Sequence, residues 1–349
     1  MNLLPNSDQE QILDAAKAFL AGEAPVERLR PQHGQIGNND HRLWPQLGEL
    51  GFWGLGLSED LGGSGLTVCE EYLLFREFGR HLVSLGALGL TLGVHLASTG
   101  GASGPLAAML AGTARVALAN PRGAAGLSAA GAFGAWHLLE GKGADWVVAW
   151  SDDGAALFRH DQFHIVEDVL AMDSHMTLAR ADLEDAEPVV FVSRADQDLQ
   201  SHALVLIAAY AVGMAEASRD MAVGYAKVRE QFGQIIGRFQ AVKHRCADMA
   251  IRTEVAACQG AYAALALHDG QSDQVFQVTA AKLLATQAAL KNGADNIQTH
   301  GAFGFTAEGD AHLYLKRAHT MDFLGGNARD QERELLAQPP PQPTVMAET

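Results

Sequence analysis

Apolar positions recur at helix spacing from Asp8 to about Ala111, beginning with Ile12, Leu13, Ala16, Phe19 and Leu20 behind Ser7, a suitable N-cap. The run Leu82 to Ser98 is almost uniformly apolar, yet short, glycine-broken and interrupted by His95, so it reads as a buried helix and not a membrane span. From about Gly112 to Ser193 the period falls to two. Arg115–Asn120, Asp145–Ser151, His164–Glu167, Met176–Leu183 and Pro188–Ser193 are short alternating or β-branched runs between glycine- and aspartate-rich turns. They predict a small β-domain of five to seven strands. Helical periodicity returns at about Asp198 in four long stretches: Leu199–Arg229, Arg238–His268, Gln271–His300 and Glu308–Leu336. Stripes at Leu204, Ile207 and Ala211, and at Val275, Val278, Ala281 and Leu284, suit an antiparallel four-helix bundle. The predicted architecture is therefore multi-domain: a helical domain over 1–111, a small β-domain over 112–197, a four-helix bundle over 198–337, and a disordered proline-rich tail over 338–349.

Composition narrows the function classes. A length of 349 residues with 48% hydrophobic content is ample for a buried core. The net charge of -16 and the lack of a Lys/Arg-rich run argue against nucleic acid, although a few local arginines can still hold an anionic ligand. Cys69, Cys246 and Cys258 form no CxxC pair and fit a reducing cytoplasm. The start, Met1-Asn-Leu-Leu-Pro, shows no secretory signal pattern. His300, His312 and His319 lack the i, i+4 spacing of helical metal ligands, so no metal is expected. Glu70, Glu71, Arg76 and Glu77 read as charges on a solvated helix face.

The candidate chemistry lies toward the C-terminus. The segment Arg229-Glu-Gln-Phe-Gly-Gln-Ile-Ile-Gly-Arg-Phe-Gln240 is a helix end, a glycine turn and a new helix start, with a guanidinium at the corner. A planar guanidinium on a rigid turn suits a pyrophosphate, because it donates two parallel hydrogen bonds; a structural arginine at a helix end is the plainer reading. A second segment runs Gln298-Thr-His-Gly-Ala-Phe-Gly-Phe305, then on to Phe323-Leu-Gly-Gly326.

Together with His244 and Ala247-Asp-Met249, these strings resemble the C-terminal half of the acyl-CoA dehydrogenase family. The glycine-dense stretch Gly48 to Arg80 resembles that family's N-terminal domain. The resemblance implies FAD as cofactor and an acyl-CoA thioester as substrate. It places Arg229 on the pyrophosphate of a neighbouring subunit's FAD, Phe232 near the adenine, and Gln240 on the same part of the cofactor. Gln298 and Gly301 match the Gln-x-x-Gly-Gly turn that approaches the adenosine diphosphate, with Ala302 replacing the second glycine. In the β-domain, Leu118-Ala-Asn-Pro-Arg-Gly-Ala-Ala-Gly126 keeps the proline of the family's flavin-contacting strand end but not the polar residues around it.

The family also needs a carboxylate to take the weakly acidic α-proton of the thioester while hydride leaves the β-carbon. Its two known locations fall on Gly325 and on Ala203, so no catalytic base is assigned. Asp322 and His202 are the nearby substitutes, each more readily explained as solvated or core-satisfying. The resemblance thus implies a base-lacking subunit of a heteromeric enzyme from the branch that handles steroid-type side chains, with a homologous partner in an α2β2 heterotetramer. A homotetramer with a relocated base, and a flavin monooxygenase or acyl-binding protein on the same fold, stay open as alternatives.

Overall fold

A computed structural model describes residues 3–32, 36–38 and 40–339; the tail from 340 lies outside the described residues. The N-terminal layer comprises α1 (Ser7–Glu23), α2 (Trp44–Glu49), α3 (Val68–Arg80), α4 (Gly86–Thr99) and α5 (Ser103–Leu110). The cap of α1 is Asn6 and not Ser7: the Asn6 side chain accepts from the backbone of Asp8 and Gln9, and Gln9 reaches back to the Asn6 N–H. In α4 every residue from Gly86 to Ala97 is buried, as the apolar run requires.

The middle sheet has eight strands, one more than expected: β1 (Val116–Pro121), β2 (Gly126–Ser128), β3 (Gly131–Leu139), β4 (Trp146–Trp150), β5 (Gly154–Arg159), β6 (His164–Asp168), β7 (Leu178–Ala186) and β8 (Val190–Ser193). Their order is β6-β7-β3-β1-β4-β5-β8, with β2 paired to β3. Of the described pairings only β1 with β4 is parallel. β2, β3 and β5 escape a period-two reading because glycine and alanine supply much of their length; cross-strand pairing, not propensity, sets them. Alternation assigns the two faces. Ala117, Ala119, Val147, Ala149 and Phe158 close a core within the β-domain, while Val116, Leu118, Val148, Trp150 and Leu157 join the helical core. Glu140, just past β3 at φ +58°, accepts a 3.0 Å hydrogen bond from the Ser84 hydroxyl, and burial pushes its carboxyl up to about 7.

The C-terminal region contains α6 (Leu199–Val228), a hairpin of β9 (Glu230–Gln231) and β10 (Gln234–Ile235), α7 (Gln240–His268), α8 (Gln274–His300), α9 (Ala311–Phe323) and α10 (Ala328–Ala337). The fourth predicted helix is thus two. Gly325 and Gly326 adopt φ of +70° and +95°, which breaks the helix, and Asn327 opens α10 with a capping box. Helices α3 and α6 meet backbone to backbone: a Cβ on Gly79 would lie 1.9 Å from the Tyr210 carbonyl, and one on Gly213 1.9 Å from that of Arg76. This seam welds the N-terminal layer to the bundle, reinforced by Arg76 on Glu216 at 2.5 Å. Helix α6 is long and apolar enough to cross a membrane, but it is buried within this core.

Candidate active site and cofactor-facing end

Gly325 sits in the link between α9 and α10, pinned on several sides. Its N–H donates to the Asn120 side chain at 3.3 Å, and its carbonyl accepts from Gln331 at 2.9 Å. Lys282 of α8, fully buried, donates to the carbonyls of Asp322 (2.9 Å) and Gly326, and burial brings its ammonium down to about 8. A Cβ on Gly325 would lie 2.8 Å from Leu204 Cδ2, 3.6 Å from Ile207 Cδ1 and 3.8 Å from Trp150 Cζ2. A side chain here would press on the end of Leu204, meet Ile207 and Trp150 at ordinary contact distance, and have to adopt a φ of +70° that favours glycine. Ala203, the alternative position, is wholly buried.

The two nearby substitutes part company. Asp322 is half-buried, and its Oδ1 is sealed from solvent without a hydrogen-bond partner. His202 points elsewhere: on a helix it lies about 200° around from Leu204, which faces Gly325. Its Nε2 meets Glu71 Oε2 at 2.5 Å, and His95 Nε2 meets Glu71 Oε1 at 2.8 Å. Glu70, Glu71 and Glu77 are consequently buried and not on a solvated face. Glu77 pairs locally with Arg80 and Glu70 caps its own helix through Thr67, but Gln9 on Glu70 and the two histidines on Glu71 come from distant segments, which local charge spacing does not reveal. Burial pushes the Glu71 carboxyl up, but the two imidazoles together outweigh it and hold the group well below the usual carboxylate range.

The other candidate residues gather at one end of the bundle. Arg229 caps α6, and the hairpin turn after it places Phe232 and Gly233 at φ of +53° and +76°, the left-handed pair that a two-residue hairpin demands. Phe232 is 91% exposed. Gln240 opens α7, while Gln298 and Gly301 close α8, where Gly301 at φ +64° accomplishes the exit. Tyr225 stacks on His300 with ring centroids 4.2 Å apart, joining the last turns of α6 and α8. Arg229, Phe232, Gln240, Gln298 and Gly301 are all exposed there, beside the exposed apolar groups Val228, Phe303 and Phe305.

Three residues escaped the sequence reading. Asn120 holds Gly325, and its only signal was its place before the retained Pro121. Lys282 fixes the same loop from a helix stripe otherwise read as apolar. Glu71 gave no sign of its histidine partners. The three histidines considered for a metal do not converge: His300 stacks on Tyr225, His312 is buried and His319 is exposed. The run Asp310 to Arg317 is tied into the core, with Asp310 paired to Arg30 and the buried Arg317 to Asp173.

A helical layer, a sheet and a bundle with an exposed arginine-bearing hairpin make up a three-part architecture whose class the comparisons identify. Family profiles described as the acyl-CoA dehydrogenase N-terminal and C-terminal domains match residues 6–135 and 199–338. Acyl-CoA dehydrogenase IpdE2 of Mycobacterium tuberculosis is 32% identical over 344 residues, covering 96% of this chain and 98% of that protein. The chain belongs to the acyl-CoA dehydrogenase family, whose cofactor is FAD. Acyl-CoA dehydrogenase FadE34 of the same organism is 35% identical over 337 residues, 92% of this chain but 46% of that protein, so this chain spans about half its length. The solved ChsE4-ChsE5 complex of M. tuberculosis shares the fold, with a TM-score of 0.83 at 22% identity, covering 97% of this chain and 100% of that one.

Proposed function

We propose that this chain is the base-lacking subunit of a heteromeric acyl-CoA dehydrogenase and completes the FAD site of a homologous partner in an α2β2 assembly. The observation that supports this reading is that neither expected position offers a carboxylate: residue 325 is a glycine at φ +70° and residue 203 a buried alanine. FAD, when bound, supplies the acceptor for the hydride leaving the acyl β-carbon. The partner's carboxylate takes the α-proton. This chain contributes the Arg229 guanidinium to the cofactor's pyrophosphate, the Phe232 ring to its adenine, Gln240 as a hydrogen-bonding group, and the Gln298–Gly301 turn as a close backbone approach. These groups fit such a ligand because they are exposed, share one end of the bundle, and include a cation, an aromatic face and a left-handed glycine.

Two comparisons support the pairing. FadE34 leaves beyond its match a remainder long enough for a second unit of this size, and the ChsE4-ChsE5 structure is described as a complex of two named chains. By the same resemblance the substrate is an acyl-CoA with a bulky, steroid-type acyl group. Co-expression with a candidate homologous partner tests the reading: about one FAD per two chains in the purified assembly supports it, and full FAD occupancy in the isolated chain refutes it.

One observation favours a second reading, a homotetramer with a relocated base: the unpartnered Oδ1 of Asp322. It predicts that the chain alone, loaded with FAD, is reduced by an acyl-CoA, and that Asp322→Asn abolishes the reduction. An isolated chain whose flavin is not reduced eliminates it.

A further inference from the structure

Away from the cofactor-facing end, three ligand-type side chains converge from three helices. Glu71 comes from α3, His95 from α4 and His202 from the first turn of α6. Their ligand atoms all lie within 4.8 Å of one another, and the two imidazole rings are 4.5 Å apart at a tilt of 55°. All three residues are buried, Glu71 to 1% exposure. Gly56 makes room for them: a Cβ there would sit 2.7 Å from Glu71 Oε1 and 3.0 Å from His95 Cε1. The cluster is nonetheless reachable, because His95 and His202 form part of the wall of a groove of about 370 Å³ that Asp198, His268 and Gln274 also line.

Two imidazoles and one carboxylate, with an open side, are a donor set that divalent first-row transition ions take up. Glu71 brings a carboxylate to the cluster, a donor that favours a cation over an anion. The triad has no part in the chemistry at Gly325, since the face of α6 that carries His202 is turned away from the one that carries Leu204 and Ile207.

We propose that Glu71, His95 and His202 form a binding site for a divalent transition ion of the zinc class, with water from the groove completing its coordination. Without an ion, each imidazole donates its Nε2–H to its own oxygen of Glu71. With an ion, both Nε2 lone pairs and the carboxylate become ligands and each ring carries its proton on Nδ1, so no proton is gained or lost. Ligand bonds of about 2.0 to 2.2 Å place neighbouring ligand atoms about 3 to 3.5 Å apart. The present separations of 2.5 and 2.8 Å must therefore open by roughly half an ångström or slightly more, a side-chain adjustment. The bound ion would tie α3 and α4 of the N-terminal layer to α6 of the bundle, adding a clamp to the seam at Gly79 and Gly213.

The test uses the full chain, stripped with a chelator and dialysed, then titrated with Zn²⁺ by calorimetry and with Co²⁺ by visible absorption. The expected result is saturation at about one ion per chain with a micromolar or tighter Kd, visible Co²⁺ bands, and a melting temperature that rises until one equivalent is bound. Glu71→Gln and His202→Gln, which are close in size to the residues they replace and stay polar at the same reach, are expected to weaken binding at least tenfold. Absence of saturable binding to the wild-type chain overturns the proposal, as does binding of equal affinity in both variants, which would place the ion elsewhere. Should a variant fail to fold, hydrogen exchange at the imidazole C2 positions of the wild-type chain decides by mass spectrometry: zinc-slowed exchange at His95 and His202 supports the site, and unchanged exchange contradicts it.

Discussion

The Gly325 link and the Arg229 end are both recognisable parts of one family pattern, and the chain has treated them in opposite ways. At Gly325 a Cβ would press on the end of Leu204, and the loop is tied down by Asn120, Gln331 and Lys282. At the other end the hairpin still holds Phe232 in a left-handed conformation and almost wholly in solvent. An aromatic side chain exposed at φ +53° costs stability in the isolated chain, which is the pattern of a residue placed for contact with something else. The difference teaches that the two ends are built in opposite ways: one is packed and pinned, and the other has the form of a contact surface.

The largest expected effect breaks the comparison if it fails. In the co-purified assembly, Arg229→Ala should lower FAD affinity about 10²-fold, read by fluorescence titration of the apo-assembly, because a charge-assisted pair is lost. The melting of the isolated chain should barely move, since Arg229 is exposed. Gly325→Glu is the reciprocal experiment. A non-glycine residue at φ +70°, 2.8 Å from Leu204, should cost about 3 kcal/mol in urea unfolding and create no dehydrogenase activity. A Gly325→Glu chain that folded like wild type and turned over acyl-CoA would show that the pocket was merely missing its base.

How much of this was legible follows the range of each interaction. The helical layer, the bundle and the Arg229 hairpin could be read because helix period and glycine turns are local signals. β2, β3 and β5 could not, because their glycines and alanines become strands only when neighbours supply the ladder. Gly325 could be placed by counting, but its surroundings could not: Asn120 and Leu204 lie far away in sequence. Glu71 is the sharpest case, a residue read as solvated whose two partners arrive from α4 and α6.

A smaller effect sharpens the comparison through a titrating group that belongs to neither region. Glu140, bonded to Ser84, holds its proton up to about 7 where an ordinary glutamate loses it at 4.5. Between those values the folded chain binds more protons than the unfolded one, so stability falls as pH rises through that window and levels off above it. Glu140→Gln should therefore match wild type near pH 4 and exceed it by about 2 kcal/mol at pH 8, compared by urea midpoints at the two pH values. The smallest effect concerns the hairpin itself. Phe232→Asn should stabilise the isolated chain by about 0.5 to 1 kcal/mol, because asparagine tolerates the left-handed region, while weakening FAD binding in the assembly.

The borrowed-base account is tested most directly by anaerobic reduction of flavin. The isolated chain, mixed with FAD and given an acyl-CoA that the co-purified assembly oxidises, should leave the flavin absorbance unchanged, whereas the assembly should bleach. Bleaching by the isolated chain at the rate of the assembly would contradict the account, because the proton acceptor would then belong to this polypeptide.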